Sequence, residues 1–99
     1  MLEIKKTTEQ DKLLYELTGR LDTTTAPQLE QEIKAVPEGV KELTLDMKGL
    51  EYISSAGLRV LLSAQKAMNK QGVMTVRNVN DSVMEIFDIT GFSDILTIE

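Results

Sequence analysis

Cysteine and histidine are both absent from the 99 residues. Without cysteine there is no disulfide framework and no thiol chemistry, a composition at home in the cytoplasm. Without histidine the chain cannot build a Ser-His-Asp triad, an imidazole acid–base pair or a Cys/His zinc site. No apolar run approaches the ~18 residues of a membrane span. The opening Met1-Leu2-Glu3-Ile4-Lys5-Lys6 lacks the apolar core of a secretory signal. Positive charge is also in short supply: 11 Lys and Arg stand against 16 Asp and Glu, for a net charge of −5. A nucleic-acid partner would have to bind against that repulsion, so none is expected. Carboxylates could still serve magnesium or acid–base chemistry, but no spacing resembles a dedicated metal loop, and no cofactor is expected.

The composition that remains is that of an ordinary globular protein. Its hydrophobic fraction of 41% is enough for one modest core, so residues 1–99 are read as one domain. Residues 2–7 and 12–18 read as strands joined by a hairpin at Gln10-Asp11. Leu13, Tyr15 and Leu17 alternate with Leu14, Glu16 and Thr18. Gly19 marks a break. Thr25 with Gln28 forms a weak capping box, Pro27 suits a first helical turn, and Leu29, Ile33 and Val36 carry a helix over 26–36 that Pro37-Glu38-Gly39 stops. Residues 41–47 alternate again, with Leu43, Leu45 and Met47 opposite Glu42, Thr44 and Asp46. From 57 to 70 the period is helical: Leu58, Leu61, Leu62, Met68, Val60, Ala64 and Ala67 form an apolar arc opposite Arg59, Ser63, Lys66 and Lys70. Gly72 reads as a C′ glycine, Val73–Val76 as a strand, and Asn80, Asp81 or Ser82 as the cap of a helix carrying Val83, Ile86 and Phe87. Gly91 closes that helix, and Ile95–Ile98 reads as a last short strand. The order is β-β-α-β-α-β-α-β, with right-handed crossovers linking parallel strands. Because the strand at 41–47 alternates, one sheet face is expected to lack helices. The expected fold is an α/β two-layer sandwich, a mixed and mostly parallel sheet with helices mainly on one face.

Parallel strands gather the loops that follow them along one edge, where ligands usually bind. Arg20, Asp22, Ser54, Ser55 and Asn78 should share that rim. Ser55 falls where a helix N-cap is expected, beside free backbone N–H groups that favour an anion. Phosphorylation would add about −1.5 to −2 charges. The helix dipole would stabilise that charge by about 0.3–1 kcal/mol, whereas a partner burying it unpaired would lose several kcal/mol. Modification should therefore release a partner and leave the fold intact. Position alone supports a plain cap more often than a regulated site, Asp22 as a turn residue, and the stripe Arg59, Lys66, Lys70 as a solvated face. If the rim is an interface, Arg59, one turn from Ser55, is the charge most readily used.

The segment Leu17-Thr-Gly-Arg-Leu-Asp22-Thr-Thr-Thr-Ala26 resembles the strand-to-helix segment of anti-sigma factor antagonists, the stand-alone members of the STAS domain family. The strand from Leu45-Asp46 leads to Ser55-Ala56-Gly57-Leu58, similar to the family's Ser-x-Gly-Leu at a helix start. Val83 through Leu96 is similar to its closing helix, glycine and short strand. The resemblance implies a non-enzymatic switch. The unmodified protein binds an anti-sigma factor that is also an ATP-binding serine kinase, and a sigma factor is freed. The kinase phosphorylates the antagonist, and a metal-dependent serine phosphatase reverses this. Matched by residue, the acceptor is Ser55, with Ser54 as the alternative, and Asp22 is the acid near it. Asp22, Thr24, Ser54, Ser55, Ala56, Gly57 and Arg59 are then the expected partner-binding residues. Where the family commonly has Asp before the acceptor, this chain has Ser54, and Asp46 is the candidate to supply part of the missing charge. That departure favours an alternative, a constitutive STAS scaffold subunit of a signalling or transport assembly. A magnesium-dependent phosphotransfer protein using Asp22 and Asp46 fits less well, because no lysine follows Lys70.

Overall fold

The computed structural model describes residues 1–99. Strand β1 (Leu2–Glu9) and strand β2 (Lys12–Leu21) form the hairpin, and helix α1 (Ala26–Lys34) follows. Then come β3 (Glu42–Ile53), α2 (Ser55–Asn69), β4 (Val73–Arg77), α3 (Asp81–Thr90) and a 3-10 turn at Phe92–Asp94. The sheet order is β1-β2-β3-β4. β1 is antiparallel to β2, and β2, β3 and β4 are parallel. The two-residue turn is made at Gln10, in the left-handed region at φ 55.

Alternation decides the layers. Leu13, Tyr15, Leu17, Leu43, Leu45 and Met47 are at most 2% exposed. They form one core with Leu29 of α1, Leu61 of α2, and Val83 and Phe87 of α3. At about 25 cal/mol per Å² of apolar surface, this burial is the main favourable contribution to folding. The Tyr15 hydroxyl, at the centre of that layer, donates to the Glu32 carbonyl at 3.0 Å. Burial first, and the nearby Glu32 charge second, push the Tyr15 pKa up to about 12, so the hydroxyl remains a donor. The other face carries polar side chains, among them Lys5, Glu16, Asp46 and Arg77 in register across all four strands.

Several local expectations change. β2 does not break at Gly19 but runs on to Leu21, and the β2–β3 register slips between Gly19 and Arg20. A second slip lies between Glu16 and Thr18. Each slip places one extra residue on β3. The inward positions of β3 therefore step from Met47 to Leu50 to Ile53, and the strand extends past residue 47, where simple alternation ends. Thr25 precedes α1 without a side-chain cap bond, and its hydroxyl donates to the Arg20 carbonyl at 2.8 Å instead. Ala67 is exposed, whereas Gln65 is 7% exposed. Residues 95–98 form no strand, only a parallel bridge from Ile98 to Val76, while Gly91 and the Asn80 cap sit as expected.

Gly72 is required for a different reason from the one its position suggests. Its φ is not positive. A Cβ there would stand 2.1 Å from the Lys41 carbonyl oxygen, the atom that accepts the Val73 amide at 2.8 Å to start the β3–β4 pairing. Gly72→Ala should lower stability by about 1–3 kcal/mol, the usual cost of overpacking. It should also expose the Val73 amide to hydrogen exchange. Urea unfolding and exchange NMR measure the two, and an unchanged midpoint would contradict this packing.

Candidate functional site

The β2–β3 ladder ends with Leu21 beside Ile53, and the Ser54 amide continues it by donating to the Leu21 carbonyl at 2.9 Å. The loop starting at Asp22 and the start of α2 are therefore neighbours, although they lie some thirty residues apart in sequence. Gly57 brings them closer still. A Cβ at Gly57 would sit 2.7 Å from Leu21 Cγ and 2.9 Å from Ile53 Cγ1, so only glycine lets the first turn of α2 rest on the strand ends. Leu58, next in line, is buried beneath them at 7% exposure.

The cap belongs to Ser54, not Ser55. Ser54 has extended backbone angles, its hydroxyl accepts the Gly57 amide at 3.4 Å, and its carbonyl accepts the Leu58 amide at 2.9 Å. Ser55 is the first helical residue and is exposed. The backbone amides of Ser55 and Ala56 donate to no acceptor within the protein. Such N–H groups at a helix start favour an anion. The Ser54 hydroxyl thus holds the helix end while the Ser55 hydroxyl, in the first turn, is left free.

Asp22 is a fixed negative charge beside this turn. Its Oδ1 accepts the Thr24 hydroxyl at 2.7 Å, the Thr24 amide at 3.0 Å and the Thr25 amide at 3.2 Å. The Thr24 hydroxyl is the largest influence on its pKa, and together with the Thr24 and Thr25 amides and the Thr25 hydroxyl it outweighs the opposing effect of desolvation and lowers the value. Arg20 Nε lies 3.7 Å from Asp22 Oδ2, and its guanidinium stacks 4.5 Å from the centre of the Tyr52 ring. Tyr52 was missed by sequence reasoning. Its one signal is an aromatic side chain close to the serine pair in a chain with only two Tyr and two Phe.

Two residues expected near the rim lie elsewhere. β4 ends at Arg77, opposite Asp46, so Asn78 emerges partway along β3. Its Nδ2 donates to Asp46 Oδ1 and Oδ2 at 3.1 Å each. Asp46 also accepts the Lys48 amide at 2.9 Å and pairs with Arg77 Nε at 3.2 Å. Eight residues of strand, about 25 Å at ~3.3 Å each, separate Asp46 from Ser54, so Asp46 cannot replace a charge there. Arg59 is exposed, one helical turn beyond Ser55, with no ion-pair partner. No group of three His, Cys, Asp or Glu side chains is placed to hold a metal. No helix is long and apolar enough to cross a membrane.

A family model for the STAS domain matches residues 3–99. BtrV of Bordetella bronchiseptica is 39% identical over 84 residues, covering 83% of this chain and 72% of that one. The anti-sigma-B factor antagonist of Bacillus subtilis is 31% identical over 90 residues, covering 90% of this chain and 83% of that one. Among solved structures, the unphosphorylated anti-sigma factor antagonist SpoIIAA of Bacillus superposes with a TM-score of 0.76 at 15% identity, over 100% of this chain and 87% of its own. Its phosphorylated form superposes with a TM-score of 0.75 at 15% identity, over 100% of this chain and 91% of that one.

The cap and the buried carboxylate give separate predictions. Ser54→Ala should cost about 0.5–1 kcal/mol, the low end for a lost cap because its bond is long. Ser55→Ala should stay within about 0.5 kcal/mol of the parent, as an exposed change does. Thermal unfolding ranks the two, and the reverse order would return the cap to Ser55. For Asp46, burial pushes the pKa up, but the Lys48 amide, Asn78 and Arg77 together outweigh it, and the net direction is down from 3.8. A lowered folded pKa means that this stabilisation is present above pH 3.8 and is lost as pH falls through the folded value. Asp46→Asn should therefore cost about 1.5–3 kcal/mol near neutrality. The gap to the parent should narrow below pH 3.8 in urea unfolding across pH.

Proposed function

Because the chain belongs to the STAS domain family, we propose that it is an anti-sigma factor antagonist switched by phosphorylation of Ser55. The unmodified protein binds an anti-sigma factor that is also an ATP-dependent serine kinase, and so frees a sigma factor. Phosphate on Ser55 breaks the complex, and a metal-dependent serine phosphatase restores it. The protein itself acts by contact and performs no chemistry. The observation that carries this reading is the free, exposed Ser55 hydroxyl at the first turn of α2, beside two unpartnered amides. The names of relatives such as the Bacillus subtilis antagonist support the role, and the existence of a phosphorylated SpoIIAA supports the switch.

The physics sets the direction of the switch. A phosphate at the start of α2 gains about 0.3–1 kcal/mol from the helix dipole. The fixed carboxylate of Asp22 works against it, with Arg20 alongside as the compensating cation. The domain therefore tolerates modification. A partner packed over Ser55, Ala56 and Thr24 would have to bury a doubly charged group, at a cost of several kcal/mol. Since ~1.4 kcal/mol is tenfold in affinity, the complex yields before the fold does. Ser54, whose hydroxyl holds the cap, is the poorer acceptor of the pair.

Intact mass and site mapping of the protein from its native cell, with the kinase active, should find phosphate on Ser55. Phosphate on Ser54 alone, or none, would sink the reading. Ser55→Ala should retain an ATP-binding partner on capture, and Ser55→Asp should stay folded and lose it. Capture of a transporter or scaffold subunit by both variants equally would favour the constitutive scaffold.

A further inference from the structure

α1 and α2 lie side by side over the sheet without closing the space between them. Two adjoining hollows of about 370 and 230 Å³ share Glu30, Val60 and Ser63 and so form one trough along α2. Small side chains leave it open, with Ala26 and Pro27 on one wall and Ala56, Ser63 and Ala67 on the other. Its floor is core: Leu43 is 1%, Met68 2% and Val60 6% exposed. From Ala56 to Gln71 it spans fifteen residues of rise, about 22 Å at ~1.5 Å each.

The charge around the trough runs against that of the molecule. The net charge is −5, yet α2 from Ser55 to Asn69 contains no Asp or Glu. Arg59, Lys66 and Lys70 lie along its exposed side, and none takes part in any of the four ion pairs. On the α1 wall Lys34 and Glu30 pair with each other at 3.8 Å and cancel. A channel with an apolar floor is thus bordered by Arg59 and Lys66, neither in an ion pair, on an acidic protein.

We propose that this trough is a docking site for an acidic amphipathic helix of the partner, whose apolar side chains enter the channel while its carboxylates meet Arg59 and Lys66. The assignment rests on the antagonist reading, because the Ala56–Arg59 end of the trough adjoins Ser55 and one partner would cover both. Helix-in-groove recognition supplies apolar anchors, and charge complementarity selects the partner and speeds its arrival.

Matched substitutions of opposite charge test the occupant. Ser63 and Ala67 are exposed, lie two and three turns beyond Ser55, and accept long side chains without disturbing the core. The probe is the anti-sigma factor that co-purifies with the Ser55→Ala chain, titrated calorimetrically against variants made in that background. Ser63→Glu and Ala67→Glu should each weaken binding by about tenfold, as like charges meet at the interface. Ser63→Lys and Ala67→Lys narrow the channel without adding a repelling charge and should weaken binding clearly less than the matching Glu variants, and Lys66→Glu should weaken binding and flatten its salt dependence. Equal binding by all variants, equal weakening by Glu and Lys, or weakening by Lys alone would each overturn the proposal. If that happens while Ser55→Asp still loses the partner, only the trough assignment fails. If no anti-sigma factor co-purifies, both readings fall.

Discussion

One hydrogen bond sets the geometry on which the site depends. The Ser54 amide bonds to the Leu21 carbonyl at 2.9 Å, extending the parallel β2–β3 ladder one residue past the last strand pair. It brings together a loop that holds a carboxylate in place and a helix start that presents a free hydroxyl. Gly57 sets the distance, because a Cβ there would collide with Leu21 and Ile53. The Ser-x-Gly-Leu pattern thus has a physical meaning in this chain. The serine is the first helical residue, the glycine permits close approach, and the leucine anchors the turn in the core.

The preceding Ser54 changes how the pair divides its work. Its hydroxyl takes the Gly57 amide, so the helix end is satisfied from within, and the neighbouring hydroxyl is spared that duty. A negative side chain at Ser54 would have stood beside any charge added at Ser55. The local field is instead set by Asp22, which the Thr24 and Thr25 groups keep ionised, and by Arg20 resting on Tyr52. Asp46, the other carboxylate of interest, belongs to a separate network that ties β3 to the exit of β4.

Alternation made β2 and the first half of β3 legible, because each buries one face only. The helical period of Leu58, Leu61 and Met68 did the same for α2, and the Asn80 and Gly91 signals bounded α3. Past Met47 the pattern was unreadable, since two register slips on β3 change the inward step from two residues to three. The last segment looked like a strand from composition, but its backbone makes only one bridge, to Val76. Gly72 sits where a helix terminator is expected, whereas its lack of a side chain makes room for the Lys41 carbonyl, about thirty residues away in sequence.

Local pattern alone was enough for the order of the first seven elements, the two-layer arrangement, the exclusion of thiol and imidazole chemistry, and the serine pair at a strand-to-helix junction. These follow from local periodicity and from which functional groups are present at all. Only the tertiary structure decided which serine caps and which is free, that Asn78 and Asp46 leave the rim, and that a cation-bordered trough lies between α1 and α2. Each of those depends on register and on close approach between segments distant in the chain, where a shift of one residue or one methyl group changes which atoms meet.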